Sequence, residues 1–366
     1  MTKVFDFPVT LGTLAHFKLH ICSLTRNQPM KKKMIVGLLL SAVLIYLTVR
    51  GIRLLDVVEG FKTIKYRYIP PVLMLILLAQ VLRSLRWGVI LSPIEKVDQL
   101  SLFSVTSVGF LAIVAMPARL GELARPYLIS KKSNVRMTAA LGTIFVERVF
   151  DSFTILIMAA FVIFFIPLPS WLIEASLFFF LISMAVLAMM IFMIVKPETS
   201  FKVVNTILNR LPDRYAQKLN HLIHHFTDGF KIITYTRCII YVIFLSGLIW
   251  LMGVLVIYIL FFAFGFHLPP VAAFVLMIIL IIGITIPTAP GFIGNWHFFC
   301  VLSLSLFSIP RTDAFTFAVI YHFLSIGTTI ILGLIFLPFN KFSFSGLNLQ
   351  LPREQERGKS NSNLPV

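Results

Sequence analysis

Apolar runs long enough to cross a membrane recur along this chain, and they leave few folds open to it. They lie at about 34–49, 69–91, 137–166, 171–195, 238–264, 269–286 and 313–338, with polar connections between them. A hydrocarbon core roughly 30 Å thick takes about 20 predominantly apolar residues to span as a helix. Inside it, backbone N–H and C=O groups must find partners within the chain, and a helix satisfies its own. Composition agrees: 58% of residues are hydrophobic and 13% charged, where a soluble domain has about 45–50% and about 25%. The expected fold is an all-α polytopic integral membrane protein. It should have about eight or nine embedded segments, two of them, near 100–117 and 287–309, broken or re-entrant.

The formal net charge of +17 sits mostly in loops and tails. A nucleic-acid binder can be this basic but not this apolar, so no nucleic-acid partner is expected. Basic connections mark the cytoplasmic side and touch anionic lipid. By that rule the segment 1–33, ending in Lys31, Lys32 and Lys33, is cytoplasmic, as are the 131–136 connection, the loop 196–237 and the tail 339–366. The 167–170 loop, without a basic residue, is expected outside. Residues 1–33 lead into no small-residue cleavage site, so the next run is a first transmembrane helix and not a signal peptide. The tail, Ser/Asn-rich at its end, is expected to be disordered.

Within 196–237, Val204, Ile207, Leu208 and Leu211, then Leu219, Leu222, Ile223, Phe226 and Phe230, repeat at helical spacing. Arg210, Arg214, Lys218 and Lys231 lie among them, the pattern of basic amphipathic helices on the cytoplasmic leaflet. His221 and His225 share a helical face, but Leu222 stands where a zinc protease needs Glu. Cys22, Cys238 and Cys300 form no CxxC or Cys/His spacing, so no disulfide framework, metal site or cofactor is expected.

The stretch 111–151 carries the chemistry. An apolar run reaches Met116 and breaks at Pro117; Arg119, Gly121, Glu122, Arg125 and Pro126 follow. A second apolar run then holds Glu147, Arg148 and Asp151. Charges at membrane depth cost about 2.5–3.5 kcal/mol each on insertion scales and are functional candidates by default. Upstream, Arg83, Arg86 and Trp87 share a face inside the 69–91 run. They read either as snorkelling arginines beside an interfacial tryptophan or as holders of a lipid headgroup. Glu147 and Asp151, four apart, read either as a structural ion-pair set with Arg148 and the arginines near 119–125, or as a proton-coupled carboxylate site.

A second break, Pro287 to Asn295 with Pro290, Gly291 and Gly294, precedes Trp296 and His297. Paired broken helices in the two halves of a membrane protein point to a transporter's binding site. Free N–H groups at a restarted helix suit an anion, and Arg119 and Arg125 can grip phosphate. The expected substrate-binding residues are Arg83, Arg86, Arg119, Gly121, Glu122, Arg125, Pro290, Gly291, Gly294 and His297.

The run P-A-R-L-G-E-L-A-R-P-Y from Pro117, then E-R-V-F-D from Glu147, then P-T-A-P-G-F-I-G from Pro287, resembles the flippase-like transmembrane family named for the membrane half of lysylphosphatidylglycerol synthase. R-S-L-R-W at 83–87 fits it too, and the resemblance covers about residues 34–338. Pro117, Arg119, Gly121, Glu122, Arg125, Glu147, Arg148, Asp151, Pro290, Gly291 and Gly294 match motif positions. His297 and His322 depart from it, since members often have Glu and Arg there. The resemblance implies translocation of aminoacylated phospholipid or of polyprenyl-phosphate sugar carriers.

Aminoacyl transfer is not expected, because only a short tail follows the last span, and no soluble glycosyltransferase domain precedes the first. No G-x-x-x-x-G-K-[ST] loop is present to hydrolyse ATP. Three classes stay open. The first is a non-enzymatic carrier of an anionic lipid. The second is an enzyme acting on a lipid phosphate through Glu147, Asp151 or His297. The third is a non-catalytic partner of an enzyme of lipid or cell-envelope synthesis. The carrier, multi-pass in a bacterial-type cell membrane, is the expectation, with oligomeric state open.

Overall fold

The computed structural model describes residues 28–116, 121–165, 170–208, 213–286 and 288–340. Within them the chain forms thirteen α-helices and no strand. These are α1 Gln28–Val49, α2 Leu54–Lys62, α3 Ile69–Leu91, α4 Gln99–Ala115, α5 Ala124–Lys132, α6 Met137–Phe165 and α7 Ser170–Val195. There follow α8 Pro197–Leu208, α9 Asp213–Asp228, α10 Thr236–Phe264, α11 Pro270–Thr285, α12 Asn295–Ser305 and α13 Arg311–Phe336. Pro117, Arg119, Pro287, Arg210, Leu211, most of the 1–33 segment and the tail from 341 lie outside the described residues. So do the side chains of Ile207, Arg214, Lys218 and His221.

Among the described residues, five helices are long and apolar enough to cross a membrane: Tyr66–Leu91, Met137–Phe165, Leu177–Val195, Thr236–Phe264 and Arg311–Phe336. Ile35–Val49, Gln99–Ala115 and Pro270–Thr285 are apolar but shorter. Along α7, Leu177, Phe178, Leu181 and Ile182 all face outward. Apolar surface this continuous is untenable in water and is what lipid covers.

Local chemistry sets the helix ends. Pro70 and Pro71 open α3 in the first turn, where a missing N–H costs nothing. Asp98 caps α4, its carboxylate accepting the Ser101 N–H at 2.8 Å. Gly265, at φ 69°, closes α10 in the left-handed conformation that glycine adopts freely.

Helix α3 packs along α10, and α4 along α13. One apolar core joins α3, α6, α10, α11, α12 and α13 through Val72, Met158, Ile257, Leu276, Cys300 and Phe317. A second gathers Trp87, Leu102, Val105, Leu128 and Ala139. A third holds Ile90, Val146, Phe230 and Val242. On α3 the second and third cores meet at the adjacent residues Leu91 and Ile90.

The two breaks are built differently. After the first, residues 121–123 form a short 3-10 turn into α5. A Cβ on Gly121 would stand 2.2 Å from the Ala112 carbonyl, so this turn folds back onto the last turns of α4. At the second, Gly291 and Gly294 take φ of 72° and 98° between α11 and α12. Gly294 lies against Ser41 of α1, whose hydroxyl donates to the Ile293 carbonyl.

The 196–237 loop is helical, as its periodicity implies, but α9 does not stand apart from the bundle. A Cβ on Gly142 would stand 2.1 Å from the Phe226 carbonyl oxygen, and one on Gly229 2.6 Å from that of Ala139. Two glycines thus bring the α9 backbone onto α6 and bury Phe230.

Candidate functional site

Three arginines and two acidic residues come together where α3, α5 and α6 meet. Glu147 is the hub: its Oε1 pairs with Arg86 Nη2 at 2.8 Å and Arg148 Nη2 at 3.2 Å, its Oε2 with Arg125 Nη2 at 3.0 Å. Asp151, one turn on, takes Arg86 Nη1 at 2.6 Å and Arg148 Nη1 at 3.5 Å. Glu147, Arg86 and Arg125 are buried, while the Arg148 side chain is 49% exposed and forms the open edge of the set. Breaking such a buried set by removing one member costs about 3–5 kcal/mol, because a charge is left without its partner. Glu147, Arg148 and Asp151 are thus joined with Arg86 and Arg125 in one set of ion pairs.

Neighbouring helices complete the shell. From α10, Ser246 accepts Arg86 Nη1 at 2.8 Å, and the Trp250 indole donates to Asp151 Oδ1 at 3.1 Å. The Arg125 guanidinium lies 4.4 Å from the Trp87 ring centre, a cation–π distance. The Trp87 indole donates to Thr143 at 3.1 Å. Arg86 and Trp87 are therefore packed inside the protein, not snorkelling at an interface.

Arg83 differs from its neighbours. It is half-buried, its guanidinium 5.3 Å from the Phe110 ring, which Arg125 approaches at 5.6 Å from its own position. Among the described residues Arg83 makes no ion pair. Glu122 is half-buried and within electrostatic reach of Arg148.

The residues of the second break form a separate group. His322 of α13 hydrogen-bonds the Gly291 carbonyl through Nε2 at 2.7 Å and so holds the Pro290–Phe292 turn. The His297 ring centre lies 4.8 Å from that of His322, and the Trp296 ring packs at a tilt against Tyr321 at 5.0 Å. Asn295 donates to the carbonyls of Gly283 and Ile286 at 3.2 and 3.3 Å, tying the start of α12 to the end of α11. Gly291 and Gly294 thus shape the turn, and His297 stands beside it.

Sequence reasoning passed over Ser246, Trp250, Thr143, Phe110 and Gly109. Ser246 and Trp250 left a trace: they stand four apart, hence on one face, in an otherwise apolar span. Gly109 left none, since its role depends on the path of Arg125.

The sequence pattern of the family described as lysylphosphatidylglycerol synthase TM region matches residues 34–333. A UPF0104 membrane protein of Methanocaldococcus jannaschii is 26% identical over 223 residues, 60% of this chain and 90% of that protein. Another, of Methanothermobacter thermautotrophicus, is 23% identical over 227 residues, 58% of this chain and 67% of that protein. No solved structure matches the chain.

Proposed function

The chain belongs to the lysylphosphatidylglycerol synthase TM region family, and from that premise we propose that it is a lipid carrier. It would move an anionic phospholipid or a polyprenyl-phosphate-linked lipid between leaflets. Positive charge left over inside the bundle carries the proposal. Arg83, Arg86, Arg125 and Arg148 outnumber Glu147, Asp151 and Glu122. Of these four, Arg83 makes no ion pair among the described residues. A cation is costly at membrane depth, and a phosphate-bearing headgroup supplies the missing charge and fits the guanidinium fork. In this reading Arg83 is the ligand, and the buried Arg86 and Arg125 hold the scaffold behind it.

We read the site as a carrier's and not an enzyme's, because both carboxylates that could act as base are held by guanidiniums. On the same ground neither is assigned a proton-carrying role. The five long spans, the three shorter apolar helices and α12 would all be embedded in the cell membrane. The α8–α9 loop would then lie on the cytoplasmic side.

The test is leaflet exchange of tail-labelled phosphatidylglycerol in proteoliposomes, read by bleaching the outer leaflet. Arg83→Ala should slow exchange about tenfold or more, the loss of one charge-assisted contact, with unchanged thermal stability. Exchange no faster than in empty vesicles would reject the carrier, and normal exchange by Arg83→Ala would remove Arg83 from the site.

A further inference from the structure

The second break holds polar atoms that the described residues leave unsatisfied. Trp296 Nε1, His297 Nδ1 and Thr288 Oγ1 are buried and have no hydrogen-bond partner among the described residues. Trp296 and Thr288 are only 7% and 8% exposed. Buried polar atoms are almost always paired, so three without partners at one break in the chain call for an occupant. Trp296 and His297 flank His322, and Thr288 stands two residues before the turn that His322 holds. The His297 and Trp296 rings lie 4.8 and 5.4 Å from the His322 ring centre, and His322 holds the turn that follows Thr288 through the Gly291 carbonyl.

The chemistry of these atoms defines what they take. An indole N–H only donates, a hydroxyl donates or accepts, and an imidazole nitrogen does either according to tautomer. None of the three residues has a carboxylate partner among the described residues, so an ammonium group meets no counter-charge here. Hydroxyl or ether oxygens match the set. The Pro290–Phe292 turn packs against α4, whose Phe110 ring lies 5.3 Å from the Arg83 guanidinium.

We propose that Thr288, Trp296 and His297 form a second subsite that binds the neutral, hydroxyl-bearing part of a phospholipid headgroup, a polyol or sugar, while Arg83 takes its phosphate. This rests on the lipid-carrier reading and narrows it: the lipid is a phosphate ester with an uncharged hydroxylic headgroup, not an aminoacylated one. Discrimination of this kind is strong because a ligand lacking the hydroxyls leaves the buried donors unpaired.

Binding and exchange together test it. Purified full-length protein is titrated with phosphatidylglycerol, with phosphatidylmethanol, which keeps the phosphate charge and lacks the hydroxyls, and with lysyl-phosphatidylglycerol. Bound lipid is counted by native mass spectrometry, and exchange is followed in phosphatidylcholine vesicles doped with each lipid. Phosphatidylglycerol should bind about tenfold more tightly than phosphatidylmethanol, the worth of one to two hydrogen bonds. Trp296→Phe, which keeps the ring, and Thr288→Val, which keeps the shape, should each shrink that preference about fivefold while leaving phosphatidylmethanol binding unchanged. Equal binding of the two lipids by the wild type, a preference unmoved in both variants, or tighter binding of the lysyl lipid would overturn the subsite. Displacement of the lipid by soluble glycerol 3-phosphate at equal concentration would overturn its assignment to a lipid. If the preference holds but no lipid crosses, the subsite stands and the carrier reading fails. If both lipids cross and bind alike, the carrier stands and the subsite fails.

Discussion

Gly109 is the gap through which Arg125 reaches Glu147: a Cβ built on Gly109 would stand 2.2 Å from Cγ of Arg125 and 3.0 Å from its Cδ. The obstructed atoms are the stem of a buried side chain pinned at its far end by Glu147 at 3.0 Å and by the Trp87 face. Gly109→Ala should therefore lift Arg125 off its carboxylate and cost about 1–3 kcal/mol, as overpacking does. Gly247, where an added methyl would meet nothing within 4 Å, is the control. Gly247→Ala should leave thermal stability in detergent unchanged or raised. Equal behaviour of the two variants would remove Gly109 from the site.

Sidedness can be read at the α8–α9 loop. Ser200 is only 3% exposed and would resist any reagent, whereas Lys202 in the same helix is exposed. With Cys22, Cys238 and Cys300 replaced by serine, Lys202→Cys should react with an impermeant thiol reagent only from the cytoplasmic side. Labelling from outside in intact cells would reverse the proposed orientation.

The spans were legible because hydrophobicity is a one-dimensional signal that needs no partner: α3 and α6 end within a residue of the runs at 69–91 and 137–166. The division of labour between Arg83 and Arg86 was not legible. Three residues on a helix leave side chains about 60° apart, close enough to count as one face. That angle still suffices for one arginine to enter the ion-pair set and the other to lie over Phe110. Nor could sequence bring Ser246 and Trp250 to Arg86 and Asp151, since that depends on how α10 packs along α3 and α6. The docking of α9 was hidden for the same reason, because Gly142 and Gly229 matter only once they face each other.

Asp98 gives the fold a pH-dependent element outside the membrane. The Ser101 backbone N–H bonded to its carboxylate at 2.8 Å favours the ionised form and lowers its pKa from the ordinary 3.8. A carboxylate with a depressed folded pKa adds stability above its unfolded pKa and loses that stability as pH falls through the folded value. Wild type should thus exceed Asp98→Ala by about 1 kcal/mol near neutrality, the usual worth of such a cap. The difference should fade in thermal melts below the ordinary carboxylate range. A gap that stays constant down to strong acid would show that the cap does not depend on ionisation.

Glu147 and Asp151 look alike in sequence but are not equivalent in the ion-pair set. Removing the Glu147 charge strands Arg125, whose ion-pair partner among the described residues is Glu147 alone. It also leaves Arg86 and Arg148 to share Asp151. Removing the Asp151 charge leaves all three arginines a carboxylate, since Glu147 meets each of them. Glu147→Gln should therefore cost about 3–5 kcal/mol, the penalty for orphaning a buried charge. Asp151→Asn should cost about 1.5–3 kcal/mol, the range for charge-assisted hydrogen bonds. Adding Arg125→Met to Glu147→Gln should recover part of the loss, because the stranded cation goes with it. Thermal melts of the four proteins in one detergent check the order. Lipid exchange measured across a pH gradient should show the same dependence in Asp151→Asn as in wild type, since the Asp151 carboxylate is paired with Arg86 and Arg148. Equal losses for the two single variants, with no recovery in the double, would mean that Glu147 is not the hub of the set.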